Sequence, residues 1–171
     1  MNIALIGYRG SGKSSIGRAL ARRLAMAFVD TDVLLVQRAG ITIREMFDIE
    51  GEAGFRARES AIIREVAAGD HQVLALGGGA ILKPENVAAL KADGRARIIW
   101  LQASPEVLYQ RIQEDAATNA NRPNLTAAGG LEEVRKLLAV RTPLYQAAAD
   151  ATCDVSTISV EDAAAHVATL I

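Results

Sequence analysis

The chain has 171 residues, 50% of them hydrophobic, with 19 lysines and arginines against 20 aspartates and glutamates, a formal net charge of −1. That length favours one domain with a full core, a near-neutral balance provides no overall field to attract nucleic acid, and no segment approaches the roughly 18 consecutive apolar residues of a membrane span. A single cysteine, Cys153, and two distant histidines, His71 and His166, exclude an intrachain disulfide and a Cys/His metal cluster.

Five short apolar runs read as strands: Ile3 to Ile6, Ala27 to Val29, Val73 to Leu76, Ile98 to Leu101 and a weaker Thr152 to Val155. Helical periodicity fills the spaces between them. It covers Lys13 to Ala25, about Val33 to Ala39, Ile43 to Ala68 with a break near Gly51, Pro84 to Ala92, Pro105 to Asp115, Leu131 to Ala149 and Val160 to Leu170. Strands alternating with helices predict an α/β domain spanning residues 1–171: a parallel sheet covered on both faces, with ligands at the carboxyl ends of its strands. The N-terminus lacks a basic region followed by an apolar stretch and a small-residue cleavage site, so the expectation is a cytoplasmic protein, a monomer without nucleic-acid or membrane partners.

The first strand runs directly into GYRGSGKSS, Gly7 to Ser15. Gly7, four residues, then Gly12-Lys13-Ser14 is the spacing of a loop whose backbone N–H groups converge on anionic oxygens, with glycines that let the chain approach a polyphosphate. Gly10, Ser11, Gly12, Lys13, Ser14 and Ser15 are therefore the candidate ATP contacts. Lys13 would reach the β- and γ-phosphates, Ser14 would ligate Mg²⁺, and the helix that follows turns its positive end to the nucleotide.

The second strand ends in Phe28-Val29-Asp30-Thr31-Asp32. Two carboxylates two residues apart on an extended strand should face one crevice. The third strand ends in Gly77-Gly78-Gly79 instead of an acid, which leaves Asp30 to hold the metal through water. Asp32 is then available to bind a substrate hydroxyl and take its proton. Either aspartate could instead cap the helix that begins near Val33. The glycine triplet reads as a tight turn that also lets a compact ligand approach the backbone.

Two arginines interrupt apolar faces. Arg141 falls on the stripe Val134, Leu138, Tyr145, and Arg56 lies beside Phe55 near Ile62 and Ile63. A buried guanidinium needs a carboxylate, from the protein or from a bound acid, and the residues alone favour an internal partner. The polar segment DAATNANRPNLTAAGG, residues 115–130, is long for a connection and carries Arg122; it reads as a mobile lid.

GYRGSGKSS, FVDTD, Gly54-Phe55-Arg56, LGGGA, Arg122-Pro123 and RTPLY from Arg141 together resemble the shikimate kinase family, in its order and at similar spacings over essentially the whole chain. The resemblance implies a three-layer P-loop kinase fold of the nucleoside-monophosphate kinase type, with a five-stranded parallel sheet in the order 2-3-1-4-5 and a lid. It implies transfer of the γ-phosphoryl group of ATP to the 3-hydroxyl of shikimate, with Mg²⁺, on the route to chorismate and the aromatic amino acids. By position, Asp32 would be the base, Arg56 and Arg141 would clamp the shikimate carboxylate beside Gly78 and Gly79, Arg122 would neutralise the transferring phosphoryl group, and Arg111 would pack on adenine. The stretch between Arg111 and Arg122 departs from the pattern by being several residues longer than usual. Rival readings are another small-molecule kinase, such as one for gluconate, and a nucleotide-dependent switch. The chain has no Asn-Lys-x-Asp guanine-reading run, which weakens a GTPase version.

Overall fold

The structure is a computed structural model that describes residues 1–115 and 130–171. Five strands, β1 (Asn2–Ile6), β2 (Ala27–Asp30), β3 (Gln72–Ala75), β4 (Ala96–Gln102) and β5 (Ala151–Asp154), form one parallel sheet in the order β2-β3-β1-β4-β5, the order that the resemblance implies. Among the described residues the α-helices are α1 (Lys13–Leu24), α2 (Thr31–Ala39), α3 (Ile43–Ala68), α4 (Pro84–Lys91), α5 (Pro105–Glu114), α6 (Gly130–Ala148) and α7 (Val160–Ala168).

Why a sheet with two covered faces forms is visible in β1, where all five residues are buried. Successive side chains on a strand point to opposite faces. Ile3 and Leu5 accordingly join Val73, Ile99 and Leu101 under Ile16 and Leu20 of α1 and Val167 of α7. Ala4 and Ile6 join Leu74, Ile98 and Trp100 under Leu35, Phe55, Ile63, Leu90 and Tyr145. The lone Cys153 is buried in the first of these two cores, whose apolar surroundings raise its thiol pKa. Asn2, fully buried at the start of β1, is hydrogen-bonded on both sides of its amide, donating to Gly69 O and accepting from Gln72 N, and so ties the central strand to the turn that enters β3.

Two boundaries differ from the sequence expectation in ways that matter for function. The helix after β2 begins at Thr31 rather than near Val33, because Asp30 caps it: its Oδ1 accepts from Asp32 N at 3.1 Å and Val33 N at 3.3 Å. Asp32 therefore belongs to the first helical turn, and strand alternation is not what aims it. The expected break in α3 is real: Gly51 has φ 68° and ψ −178°, backbone in the left-handed half of the map that glycine tolerates. It divides α3 into two limbs whose aromatic rings, Phe47 and Phe55, meet across the bend at 4.7 Å.

Candidate active site

Parallel strands leave their carboxyl ends at one edge of the sheet, and the candidate residues collect there. The loop after β1 closes through Ser11 N donating to Tyr8 O, and Gly12 precedes α1 in the left-handed conformation. Lys13 extends back over the loop and donates to Gly7 O at 2.8 Å and Tyr8 O at 2.9 Å. The ammonium is thus held at the mouth of the loop, where the N-terminus of α1 already favours an anion. Ser14 Oγ donates to Asp30 Oδ2 at 2.5 Å, so a single carboxylate caps α2 with one oxygen and meets the loop serine with the other.

A cleft of about 370 Å³ opens over this loop. It takes in Gly10, Gly12, Lys13, Ser14, Ser15, Asp30 and Asp32, with Arg111 on its far side. Ser11, the remaining loop residue of the expected set, is fully buried and accepts from Lys13 through its hydroxyl. Arg111 is anchored by a 2.7 Å hydrogen bond to Val155 O, which holds its side chain along the wall of the cleft. Arg122 and the greater part of the expected lid lie outside the described residues.

A second, compact pocket of about 70 Å³ adjoins it. Arg56, Arg141 and the turn Gly77 to Gly79 line it together with Asp32; Ile43, Phe47 and Phe55 supply apolar wall, and Glu59 completes it. Arg56 has the internal carboxylate that the residues alone favour: Nη1 donates to Glu59 Oε2 at 2.7 Å, with both side chains buried. It faces the pocket nonetheless, so an internal partner and exposure to a ligand coexist. Arg141 donates to Gly78 O at 3.4 Å and lies over the Tyr8 ring at 5.5 Å.

The glycine triplet is explained by what surrounds it. A Cβ on Gly77 would come within 2.6 Å of Glu59 Oε1 and 2.9 Å of Asp32 Oδ1, and one on Gly79 within 2.5 Å of Arg56 Nη1. Side chains at either position would occupy the space that these charged groups use. Between them, Gly78 O accepts a 2.6 Å hydrogen bond from the Tyr145 hydroxyl. Tyr145 is wholly buried and stacks on Trp100, and burial pushes its pKa above the ordinary tyrosine range, with Arg141 opposing the shift. Burial likewise raises Tyr8, again offset in part by Arg141.

Glu59, Tyr145 and Arg9 are the site residues that sequence reasoning passes over. Glu59 had a visible signal, an acid three residues after Arg56 on the same apolar face. Tyr145 lies in the RTPLY run, but nothing local marks the partner of its hydroxyl, which is 67 residues away. Arg9 sits inside the loop motif at a position that the motif leaves open, and it lines both pockets.

A phosphate loop at the end of the central strand, facing a separate small basic pocket across one aspartate, defines a P-loop kinase for a small acceptor molecule. The narrower assignment comes from comparison with known proteins. The chain belongs to the shikimate kinase family: the family model described as "Shikimate kinase" matches residues 9–171. The chain is 44% identical over 167 residues to a shikimate kinase of Symbiobacterium thermophilum, an alignment that covers 98% of this chain and 94% of that one. It is 43% identical to the shikimate kinase of Syntrophus aciditrophicus, over 92% of this chain and 84% of the other. Among solved structures, the shikimate kinase of Acinetobacter baumannii in complex with shikimate superimposes with a TM-score of 0.91 at 36% identity, covering 99% of this chain and 91% of that one.

Proposed function

We propose that the chain transfers the γ-phosphoryl group of ATP to the 3-hydroxyl of shikimate, giving shikimate 3-phosphate, in the cytoplasmic synthesis of the aromatic amino acids. The observation that carries this reading is the acceptor pocket itself, in which the guanidinium groups of Arg56 and Arg141 and the carboxylate of Asp32 surround one compact space. Two guanidiniums suit a small carboxylate, and Asp32 suits a hydroxyl at the side open to the nucleotide.

In this mechanism Arg56 and Arg141 fix the acid end of the acceptor, with the Gly78 and Gly79 backbone alongside. Asp32 accepts the proton of the attacking hydroxyl. Lys13 and the loop N–H groups hold the β- and γ-phosphates, and Arg111 flanks the adenine. Arg122, whose position lies outside the described residues, is assigned the charge of the transferring phosphoryl group. Phosphoryl transfer has a loose transition state, so the protein contributes position and charge more than covalent chemistry.

A divalent ion fits the residues present. Ser14 Oγ and Asp30 Oδ2 offer two hard oxygens at the lip of the nucleotide cleft, and among the described residues no cluster of three His, Cys, Asp or Glu forms a dedicated cage. Mg²⁺ asks for little more, since it keeps several waters and takes phosphate oxygens for the rest. Ser14 would ligate it and Asp30 would hold it through water; when bound, it neutralises phosphate charge.

The test is ADP release with ATP and Mg²⁺ in the presence of shikimate, gluconate or no acceptor. Turnover with shikimate alone supports the reading, preference for gluconate replaces it with the neighbouring activity, and slow hydrolysis indifferent to both acceptors points to a nucleotide-dependent switch.

A further inference from the structure

At the acceptor end of the sheet, β3 outlasts its neighbour. β2 ends at Asp30, opposite Ala75, and its chain turns at once into α2, whereas the chain of β3 runs on through Leu76 to Gly77. Successive residues of a strand turn their N–H and C=O groups to opposite neighbours. Leu76 turns to the central strand and donates to Leu5 O at 3.1 Å. Ala75 O and Gly77 N therefore face the side that β2 has left, and each needs a partner inside the protein.

The Thr31 hydroxyl serves both. It donates to Ala75 O at 3.2 Å and accepts from Gly77 N at 3.2 Å. Thr31 is 2% exposed, so solvent does not reach this place, and the side chain that fills it must give and take a hydrogen bond at one atom. Thr31 thus stands in for the strand residue that β2 no longer supplies. It lines neither the nucleotide cleft nor the acceptor pocket.

The segments that this hydroxyl joins are the two sides of the acceptor pocket. Thr31 opens α2 and is followed directly by Asp32; Gly77 opens the glycine turn. One side-chain atom fixes the spacing between them, and the spacing is narrow: Asp32 Oδ1 lies 2.9 Å from the place that a Cβ on Gly77 would take. Resting on the function proposed above, we propose that Thr31 is a positioning residue for the transfer. Its hydroxyl holds the first turn of α2 against the glycine turn, and so sets the distance at which Asp32 meets the acceptor hydroxyl. A base must come within about 3 Å of the oxygen that it deprotonates, and a misplacement of about 1 Å costs on the order of 100-fold in rate.

The test uses Thr31→Val, which keeps the branched shape without the hydroxyl, and Thr31→Ser, which keeps the hydroxyl without the methyl. Thr31→Val is expected to lower kcat with shikimate at least about tenfold, per folded molecule, with KM for ATP changed less than about twofold; Thr31→Ser should recover most of the loss. In an Asp32→Asn background, Thr31→Val should lower single-turnover rates less than about twofold further, because the residue through which it acts is already disabled. Hydrogen exchange at the Gly77 amide, read by NMR without substrates, should be faster in Thr31→Val and near wild type in Thr31→Ser.

A lower melting temperature with unchanged kcat, equal losses in the two variants, a full tenfold loss in the Asp32→Asn background, or unaltered exchange at Gly77 overturns the assignment. If Thr31→Val does not fold, Thr31→Cys takes its place: a thiol is a weak donor and acceptor, so kcat must fall at least about threefold below that of Thr31→Ser, and equality overturns the role. Wild-type protein inert toward shikimate would instead overturn the function on which this rests.

Discussion

Glu59 holds Arg56 by a 2.7 Å ion pair in the wall of the acceptor pocket, with 2% of the glutamate side chain and 10% of the arginine side chain exposed. Removing one member of a buried pair strands the other. Glu59→Ala is therefore expected to destabilise the fold by about 3 kcal/mol in urea unfolding. It should also raise KM for the acceptor while leaving KM for ATP near its wild-type value, because the guanidinium, left with only the exposed Glu52 at 3.5 Å, turns away from its ligand. Unaltered stability would mean that the pair is solvated.

Gly79→Ala tests the same wall from the other side. The new methyl would meet the end of the Arg56 side chain, closer than any ordinary contact, while Gly79 itself has φ −105°, which alanine accepts. The flexible side chain gives way before the backbone does. Acceptor KM should rise by at least about tenfold, the loss of one charge-assisted hydrogen bond, with the melting temperature nearly unchanged. Normal acceptor affinity would show that Arg56 does not need its present position.

Lys13→Ala and Asp32→Asn address the two ends of the transfer. Each is expected to lower kcat by at least about 100-fold, the cost of removing a preorganised group or a positioned base. Single-turnover kinetics in a quenched-flow instrument separates chemistry from product release. Near-normal chemistry in either variant would remove that residue from the mechanism.

Tyr145 supplies a pH signature. Burial raises its pKa in the folded protein above the ordinary 10.0, so the folded state keeps a proton that the unfolded chain gives up first. Stability from this group is whole below about pH 10 and is lost as the pH rises beyond it. The denaturation midpoint should fall between pH 9.5 and pH 11, and fall less in Tyr145→Phe. Tyr8, raised in the same direction, is controlled by Tyr8→Phe. Identical alkaline profiles for wild type and Tyr145→Phe would contradict the burial of the Tyr145 hydroxyl.

What could be read in advance follows the range of the forces involved. The loop from Gly7 to Ser14 is a local device, its geometry written within eight residues, and its chemistry was readable from spacing. The alternation of strands and helices was readable too, but the order β2-β3-β1-β4-β5 came from family resemblance, since pairings between distant strands leave no local mark. Strand alternation predicts that Asp30 and Asp32 face one crevice; both line the cleft, but the cap formed by Asp30 advances the helix by two residues, so Asp32 reaches it from the first helical turn. The internal partner expected for Arg56 exists, yet the arginine still lines the pocket; sequence posed these as alternatives because burial on one face and access on the other cannot be separated without coordinates. The bond from Tyr145 to Gly78 joins segments brought together only by the folded core.

Asp30 ends one strand through its backbone, and its carboxylate both caps one helix and touches the serine of the phosphate loop. A cation that meets its outer oxygen draws electron density away from the inner one, which accepts from the amide of Asp32. One carboxylate shared by two amides and a hydroxyl is thus a rigid joint between the phosphate loop and the first turn of the helix that carries Asp32, so neither can shift without straining the other.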